Sequence, residues 1–321
     1  MRRLTTGGWA LGIGLALQTG QALSTDLLFL TDREVAPLEA ALRDARRAPV
    51  APVAFPSPGD GAVLHGFLAA DRPESSRAIG SPASLADLCG RRRSGVVVAW
   101  GERAARATLR ACPLPTLVVG MLRRQVVPLL AERRPEPVSA IYLEADPSLD
   151  LRLARALLPS ARTVGVLAPV TAPAWLAPLR AEARRLDLAL EEIVADDDLG
   201  AVRALRPRLA GLDAVLLPPE PSLASEWSLK PLLLMTIRQG VPVLGGASAR
   251  YVDAGVMAAV VADEERLSAQ MWTLIAELSR GQTPAPAYPA AVRVAVNPAV
   301  AQTLGIPVEA IERARSLFSI P

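Results

Sequence analysis

Short apolar runs alternate with amphipathic segments along most of this chain of 321 residues. The run at residues 95–99 is uninterrupted and predicts a buried strand. Further along, Leu149, Leu153 and Leu157 recur at every fourth position and predict one buried helical face. The same succession of strand, turn and helix continues through residues 138–281. This alternation predicts parallel sheets with helices on both faces.

The predicted strands are too many for one ordinary open sheet. An α/β fold of two doubly wound parallel-sheet lobes fits better than a closed barrel, because residues 62–82 and 284–290 are irregular and break any eightfold repeat. The predicted strands are 26–30, 50–55, 95–99, 114–119, 138–142, 163–167, 188–194, 213–217, 241–244, 255–261 and 292–296, and the predicted helices are 34–46, 102–111, 123–133, 148–158, 172–186, 201–209, 225–239 and 263–281.

The first 24 residues have the order of a secretory signal peptide. Arg2 and Arg3 precede an uncharged apolar stretch at 9–17, and small residues follow at 22–24. The alternative is a transmembrane anchor, but the stretch is shorter than the roughly 20 apolar residues that span a bilayer. No cysteine lies at the cleavage site that follows the stretch, so we expect export without a lipid anchor and a soluble mature protein in the periplasm.

Composition excludes several classes of function. The formal net charge is +3 and the basic residues form no nucleic-acid footprint. His65 is the single histidine, so a histidine-based triad or a zinc site would need unusual ligands. No nucleophile, base and orienting group appear together in the sequence. We therefore expect a protein that is not an enzyme, binds no nucleic acid and carries no cofactor or metal.

Cys89 ends a further predicted helix ahead of the strand 95–99, and Cys112 ends the predicted helix 102–111 ahead of the strand 114–119. They would lie at the same end of one sheet. Export permits a disulfide between them, and two buried free thiols are the alternative.

Several segments in a fixed order resemble one family, the substrate-binding proteins of ABC transporters whose characterised relatives bind aromatic amino acids such as tryptophan. The likeness covers roughly residue 94 to the end. Residues 94–105 form an apolar strand followed by Gly and a helix of small residues, and residues 149–167 place Leu-Pro before a Val-Gly-Val strand. A pair of strands at 213–219 and 240–245 follows. The last two similar segments are 251–258, with its Gly-Ala strand, and the terminal signature at 296–306.

The resemblance implies a type I periplasmic-binding fold whose lobes close about a hinge of three chain crossings. We expect crossings near Pro137, Ala247 and Gln282. Residues 25–137 and 248–282 would then form lobe I, and residues 138–247 and 283–321 lobe II. The implied function is the capture of a small organic ligand, amino acid-like or aromatic, by a monomer that delivers it to ABC permease subunits in the inner membrane.

Ligands of open α/β sheets bind beyond the carboxyl ends of the strands, where helix N-termini present free N–H groups. Only 4% of the residues are aromatic, yet three of the four tryptophans beyond the signal peptide lie just after predicted strands. The candidate ligand-binding residues are Thr31, Trp100, Gly101, Glu102, Met121, Thr171, Trp175, Glu220, Ser222, Trp227, Ser248 and Tyr251.

Each of these candidates has a plainer alternative. Thr31 and Glu34 have the spacing of a helix capping box. Trp175 and Trp227 could fill junctions between helix and sheet, and Glu220 could face water. The first-lobe loops depart from the family pattern, which leaves a second hypothesis open: a binding-protein fold that acts as a regulatory or interaction module without a small ligand.

Overall fold

The structure is a computed structural model, and it describes residues 27–31, 51–56, 63–69, 82–90, 95–132, 134–171 and 173–318. The predicted export signal at 1–24 and the predicted helix at 34–46 lie outside these residues. Within the described part, none of the helices is both long and apolar enough to cross a membrane.

The first sheet contains six strands in the order β2-β3-β1-β4-β5-β6. Strands β1, β4, β5 and β6 are parallel, whereas β3 runs antiparallel to both β1 and β2. Strand β3 lies where the sequence was expected to be irregular, because His65 and Gly66 interrupt its apolar run. The strands are β1 Leu27–Thr31, β2 Ala51–Pro56, β3 Val63–Ala69, β4 Val96–Trp100, β5 Thr116–Met121 and β6 Val138–Tyr142.

The second sheet also contains six strands, in the order β12-β11-β10-β9-β7-β8. All are parallel except β12, which pairs antiparallel with β11. The strands are β7 Thr163–Pro169, β8 Ala189–Ala195, β9 Ala214–Leu217, β10 Val243–Gly245, β11 Ala258–Ala262 and β12 Val292–Val296.

Helices cover both sheets, and the helices predicted between residues 102 and 281 are all present, whereas the short helix Ala249–Asp253 was not predicted. A short 3-10 helix, Arg206–Gly211, continues α6. The described α-helices are α1 Pro82–Gly90, α2 Glu102–Ala111, α3 Arg123–Ala131, α4 Ser148–Leu157, α5 Leu176–Arg185, α6 Asp198–Leu205, α7 Glu226–Arg238, α8 Ala249–Asp253, α9 Glu264–Ser279, α10 Pro298–Thr303 and α11 Val308–Phe318.

The two faces of the first sheet pack against helices from distant parts of the chain. Val97 and Ala99 of β4 pack with helices α1, α2 and α3 on one face. Val96 and Val98 point to the other face and pack against Met271 and its neighbours in α9. Strand β4 is therefore buried on both faces, as a central parallel strand requires.

Over the residues that the structure describes, the chain passes between the two sheets three times. It leaves the first sheet after Tyr142, returns at Asp263 between β11 and α9, and leaves again between α9 and β12. Before the last crossing, Ala287 pairs with β6: the Tyr142 N–H donates to the Ala287 carbonyl over 2.9 Å. The Asp263 N–H donates to the Ala291 carbonyl over 3.0 Å. The three crossings are thus held side by side by backbone hydrogen bonds.

These crossings differ from the expected ones near Pro137 and Ala247. Strand Val138–Tyr142 was expected to open lobe II, but it is the edge strand of the first sheet. Strand Ala258–Ala262 was expected in lobe I, but it pairs with β10 and β12 of the second sheet. A buried apolar strand has the same pattern in either sheet, so only its tertiary partners decide where it lies.

We call the first sheet with α1, α2, α3 and α9 the first lobe, and the second sheet with the remaining helices the second lobe. Cys89 of α1 and Cys112, the residue that ends α2, are joined by a disulfide in the core of the first lobe. The bridge fixes α1 against α2 across 23 residues of sequence.

The double substitution C89A/C112A should lower the free energy of unfolding by about 3 kcal/mol, because the bridge restricts the unfolded chain. Urea titration of the oxidised protein and of the variant measures this difference. Reduction of the wild type with dithiothreitol is the matched control, since it opens the bridge and keeps the sulfur atoms. An equal midpoint for oxidised and reduced wild type would contradict the prediction.

Candidate functional site

A cleft lies between the lobes, where the carboxyl ends of strands from both sheets meet. Trp100, Gly120 and Tyr142 line it from the first lobe, and Ser248 and Arg293 line it from the second. This is the position in which open α/β sheets place their ligands. The cavity left between these residues measures about 50 Å³, whereas pockets for drug-sized ligands are usually about 300–1,000 Å³.

One ion pair joins the two lobes across the cleft. Nε of Arg124, at the start of α3 in the first lobe, lies 3.5 Å from Oε2 of Glu220, which follows β9 in the second lobe. The Trp175 indole N–H donates to the other oxygen, Oε1 of Glu220, over 3.3 Å. The Glu220 side chain is only 9% exposed and that of Arg124 is 44% exposed. The second lobe thus presents a buried carboxylate to a more exposed cation of the first lobe.

A second buried carboxylate lies on the first crossing. Both oxygens of Glu144 accept the backbone N–H of Arg123, over 3.0 and 3.2 Å, at the N-terminus of α3. Burial raises the pKa of Glu144 to about 7, although this hydrogen bond opposes the shift, and the charge of Glu220 raises the pKa further. Glu144 therefore caps the one helix N-terminus that also carries the cross-cleft cation.

Two tyrosines join the first and third crossings around Arg123. The Arg123 guanidinium donates to the Tyr288 hydroxyl over 3.2 Å and lies about 6 Å from the ring centres of Tyr142 and Tyr288. The two rings meet edge to face with centroids 5.1 Å apart. Such cation–π and edge-to-face contacts favour one arrangement of the crossings.

Asp150 is buried beneath the second-lobe side of the cleft. It accepts the Val260 N–H of β11 over 2.9 Å, and a side-chain carbon at Gly245 would lie 3.0 Å from its Oδ2. Burial raises the pKa of Asp150 to about 7. Strand β10 ends at Gly245 and pairs with only the first part of β11. The Asp150 carboxyl group therefore accepts the Val260 N–H in place of a backbone carbonyl of β10.

The structure brings together some of the sequence-predicted residues. Trp100 and Ser248 line the cavity, and Trp175 and Glu220 are bonded to each other. The Tyr251 ring covers Gly246 at the start of the loop that carries Ser248.

Other predicted residues lie apart from this group. Met121 is buried in the first-lobe core, and Glu102 binds Arg106 and Gln125 within its own lobe. Gly101 precedes α2 with φ 91° and presents no side chain. The backbone of Thr31 pairs with Trp100 and His65, and its side chain lies outside the described atoms. Thr171 and Ser222 are exposed, and Trp227 is 90% exposed.

Sequence reasoning missed Arg123, Arg124 and Glu144. The two arginines lie two and three residues after Met121, the last residue of β5, so extending the search into the first turn of the next helix would have included them. Glu144 follows β6 by two residues. It escaped because that strand was expected to begin the second lobe and not to end the first sheet at the cleft.

No protein-family model matches the sequence, and no functionally curated protein matches it in sequence. Solved structures do resemble the fold. A substrate-binding protein with adhesive properties from Clostridium difficile, in its ligand-free open structure, gives a TM-score of 0.61 over 88% of this chain and 94% of its own, at 15% identity.

Two further structures are each 18% identical to this chain and cover 74% of it. One is a conserved domain protein from Vibrio cholerae, with a TM-score of 0.51 over 84% of its length. The other is an ABC domain from Streptococcus pneumoniae in complex with L-Trp, with a TM-score of 0.50 over 86% of its length. These likenesses confirm the expected two-lobed α/β fold, the type I periplasmic-binding fold of solute-binding proteins.

The buried acids make a prediction about pH. Glu144 and Asp150 keep their protons in the folded state up to about pH 7, whereas an unfolded chain releases them near pH 4. The unfolded state therefore binds fewer protons between these values, and the free energy of unfolding should fall as pH rises from about 4 to about 7.

Urea titrations at about pH 5 and about pH 8 measure this difference. Glu144→Gln and Asp150→Asn should each make the difference smaller, because neither amide ionises. Glu132→Gln removes an exposed carboxylate and serves as the control. The prediction is wrong if both variants retain the full wild-type difference.

Proposed function

We propose that this protein is an exported solute-binding protein that captures a small, amino acid-like ligand between its lobes. The supporting observation is the cross-cleft pair: a guanidinium in the first lobe faces a buried carboxylate in the second. A zwitterion that enters between Arg124 and Glu220 gives its carboxylate to the arginine and its ammonium group to the glutamate. Both charges then keep a partner when the direct ion pair opens.

The surrounding roles follow from this proposal. The signal at residues 1–24 takes the chain to the periplasm, where it works as a soluble monomer without a lipid anchor. The lobes close around the ligand by rotation about the three crossings. ABC permease subunits in the inner membrane recognise the closed form. In this proposal the protein binds and releases its ligand and carries out no catalytic step.

A second candidate is an interaction module with the same fold and no small ligand. Its support is the narrow cleft: the cavity is about 50 Å³, and Arg124 and Glu220 already satisfy each other. In this function the closed arrangement of the lobes would itself be the surface that a partner protein recognises.

Thermal denaturation with a panel of amino acids, nucleosides and organic acids tests the first proposal. A ligand that binds only the folded state raises the melting temperature with its concentration. We expect at least one zwitterionic amino acid to do so. If no compound shifts the melting temperature and the purified protein carries no ligand by native mass spectrometry, the proposal fails and the interaction module remains.

Substitutions then test the site. Glu220→Gln and Arg124→Met should each weaken binding of that ligand by about tenfold or more, because each removes a charge-assisted bond. Arg180→Met is the matched control, since it removes the surface pair with Glu192 on the edge strand β8. Calorimetric titration measures the affinities. Wild-type affinity in both cleft variants would exclude this pair from the binding site.

A further inference from the structure

The indole ring of Trp100 lies against a segment of backbone that has room for it only because residue 120 is glycine. Trp100 ends β4, and its indole ring covers Gly120 of β5. A side-chain carbon at position 120 would lie 2.6 Å from Nε1 and 2.9 Å from Cε2 of that ring. The backbone of Gly120 also has φ 75°, a conformation that favours glycine. Two separate constraints thus exclude larger residues beneath the indole.

The same point of the sheet carries an irregularity. The pairing of β5 with β6 shifts register between Val119 and Met121, on either side of Gly120. Such irregularities redirect the chain and are common beside binding sites. Here the shift coincides with the place where the indole lies on the strand. The ring also packs on the apolar cluster formed by the sheet and α9, so it has contacts on more than one side.

The indole forms a wall of the interlobe cavity and limits its size. The space that remains is about 50 Å³, well below the roughly 300–1,000 Å³ of pockets that hold drug-sized ligands. The opposite wall comes from Ser248, Val261 and their neighbours in the second lobe.

We propose that Trp100 determines the size class of the ligand. Its indole fills from within the volume that an aromatic ring of a ligand would take, so the cleft selects small ligands without a ring. This inference rests on the proposed solute-binding function for its biological meaning. The geometric part concerns only the cavity and can be tested with the protein alone.

Trp100→Ala should create an apolar cavity that binds free indole. The space that Trp100 leaves would be lined mainly by apolar atoms, and apolar cavities take up aromatic molecules of matching size. We expect indole to raise the melting temperature of the variant and to bind it about tenfold or more tightly than it binds the wild type, as measured by calorimetric titration. Trp227→Ala is the matched control, because this tryptophan is 90% exposed and its removal opens no cavity.

Indole binding that is equal in wild type and Trp100→Ala would overturn the proposal, and so would a folded variant that binds no indole. If the alanine variant does not fold, Trp100→Leu keeps an apolar wall, and benzene replaces indole as the probe. Failure of benzene to stabilise the folded leucine variant more than the wild type then overturns the proposal equally.

Wild-type ligands separate this inference from the proposed function. Stabilisation by alanine or serine, and not by tryptophan or phenylalanine at the same concentration, supports both. Stabilisation by tryptophan overturns the size limit and leaves solute binding intact. If no compound of the panel stabilises the wild type and the purified protein carries no ligand, while Trp100→Ala binds indole, Trp100 still fills the cavity, and the solute-binding function is what fails.

Discussion

Both faces of a buried parallel sheet must be covered, and this requirement governs the whole molecule. The chain covers one face of the first sheet with helices from nearby sequence and the other with Glu264–Ser279, which follows most of the second sheet. The chain therefore has to return to the first lobe and leave it again. Three crossings result, and their hydrogen bonds hold them side by side. The cleft lies beside these crossings because the carboxyl ends of both sheets meet there.

The charges of the cleft depend on the same arrangement. Arg124 belongs to the first lobe and Glu220 to the second, so their ion pair forms only when the lobes approach. Glu144 lies on the first crossing and binds the N-terminus of the helix that carries Arg124. Its pKa is raised to about 7 by burial, with Glu220 adding to the shift. The cleft therefore combines a buried carboxylate, a more exposed cation and a titratable group at the hinge.

Local backbone irregularities support these contacts. The strand pairing is irregular at Gly120, and the Trp100 indole lies where a side chain at position 120 would otherwise be. In the second lobe β10 contains only three residues, and the carboxyl group of Asp150 binds the N–H of Val260 in the neighbouring strand. In each lobe, one side chain therefore occupies a position where regular pairing between strands is interrupted: Trp100 in the first lobe and Asp150 in the second.

The sequence by itself determined the elements and their class. Residues 95–99 are apolar without interruption, and Leu149, Leu153 and Leu157 share one helical face, so the pattern of apolar positions assigns them to strand and helix. The same pattern predicted two parallel sheets and directed attention to the carboxyl ends of the strands, where Trp100, Trp175 and Glu220 lie. These features depend on local periodicity, which one sequence displays in full.

Only the tertiary structure decided which strand belongs to which sheet and which side chains meet. Val138–Tyr142 and Ala258–Ala262 have patterns that suit either lobe, and their hydrogen-bonded neighbours assign them. Arg124 and Glu220 are 96 residues apart in the sequence, and Trp100 meets Gly120 only through adjacent strands. Long-range contacts of this kind leave no periodic signal, because they depend on how the two sheets and the three crossings are placed in space.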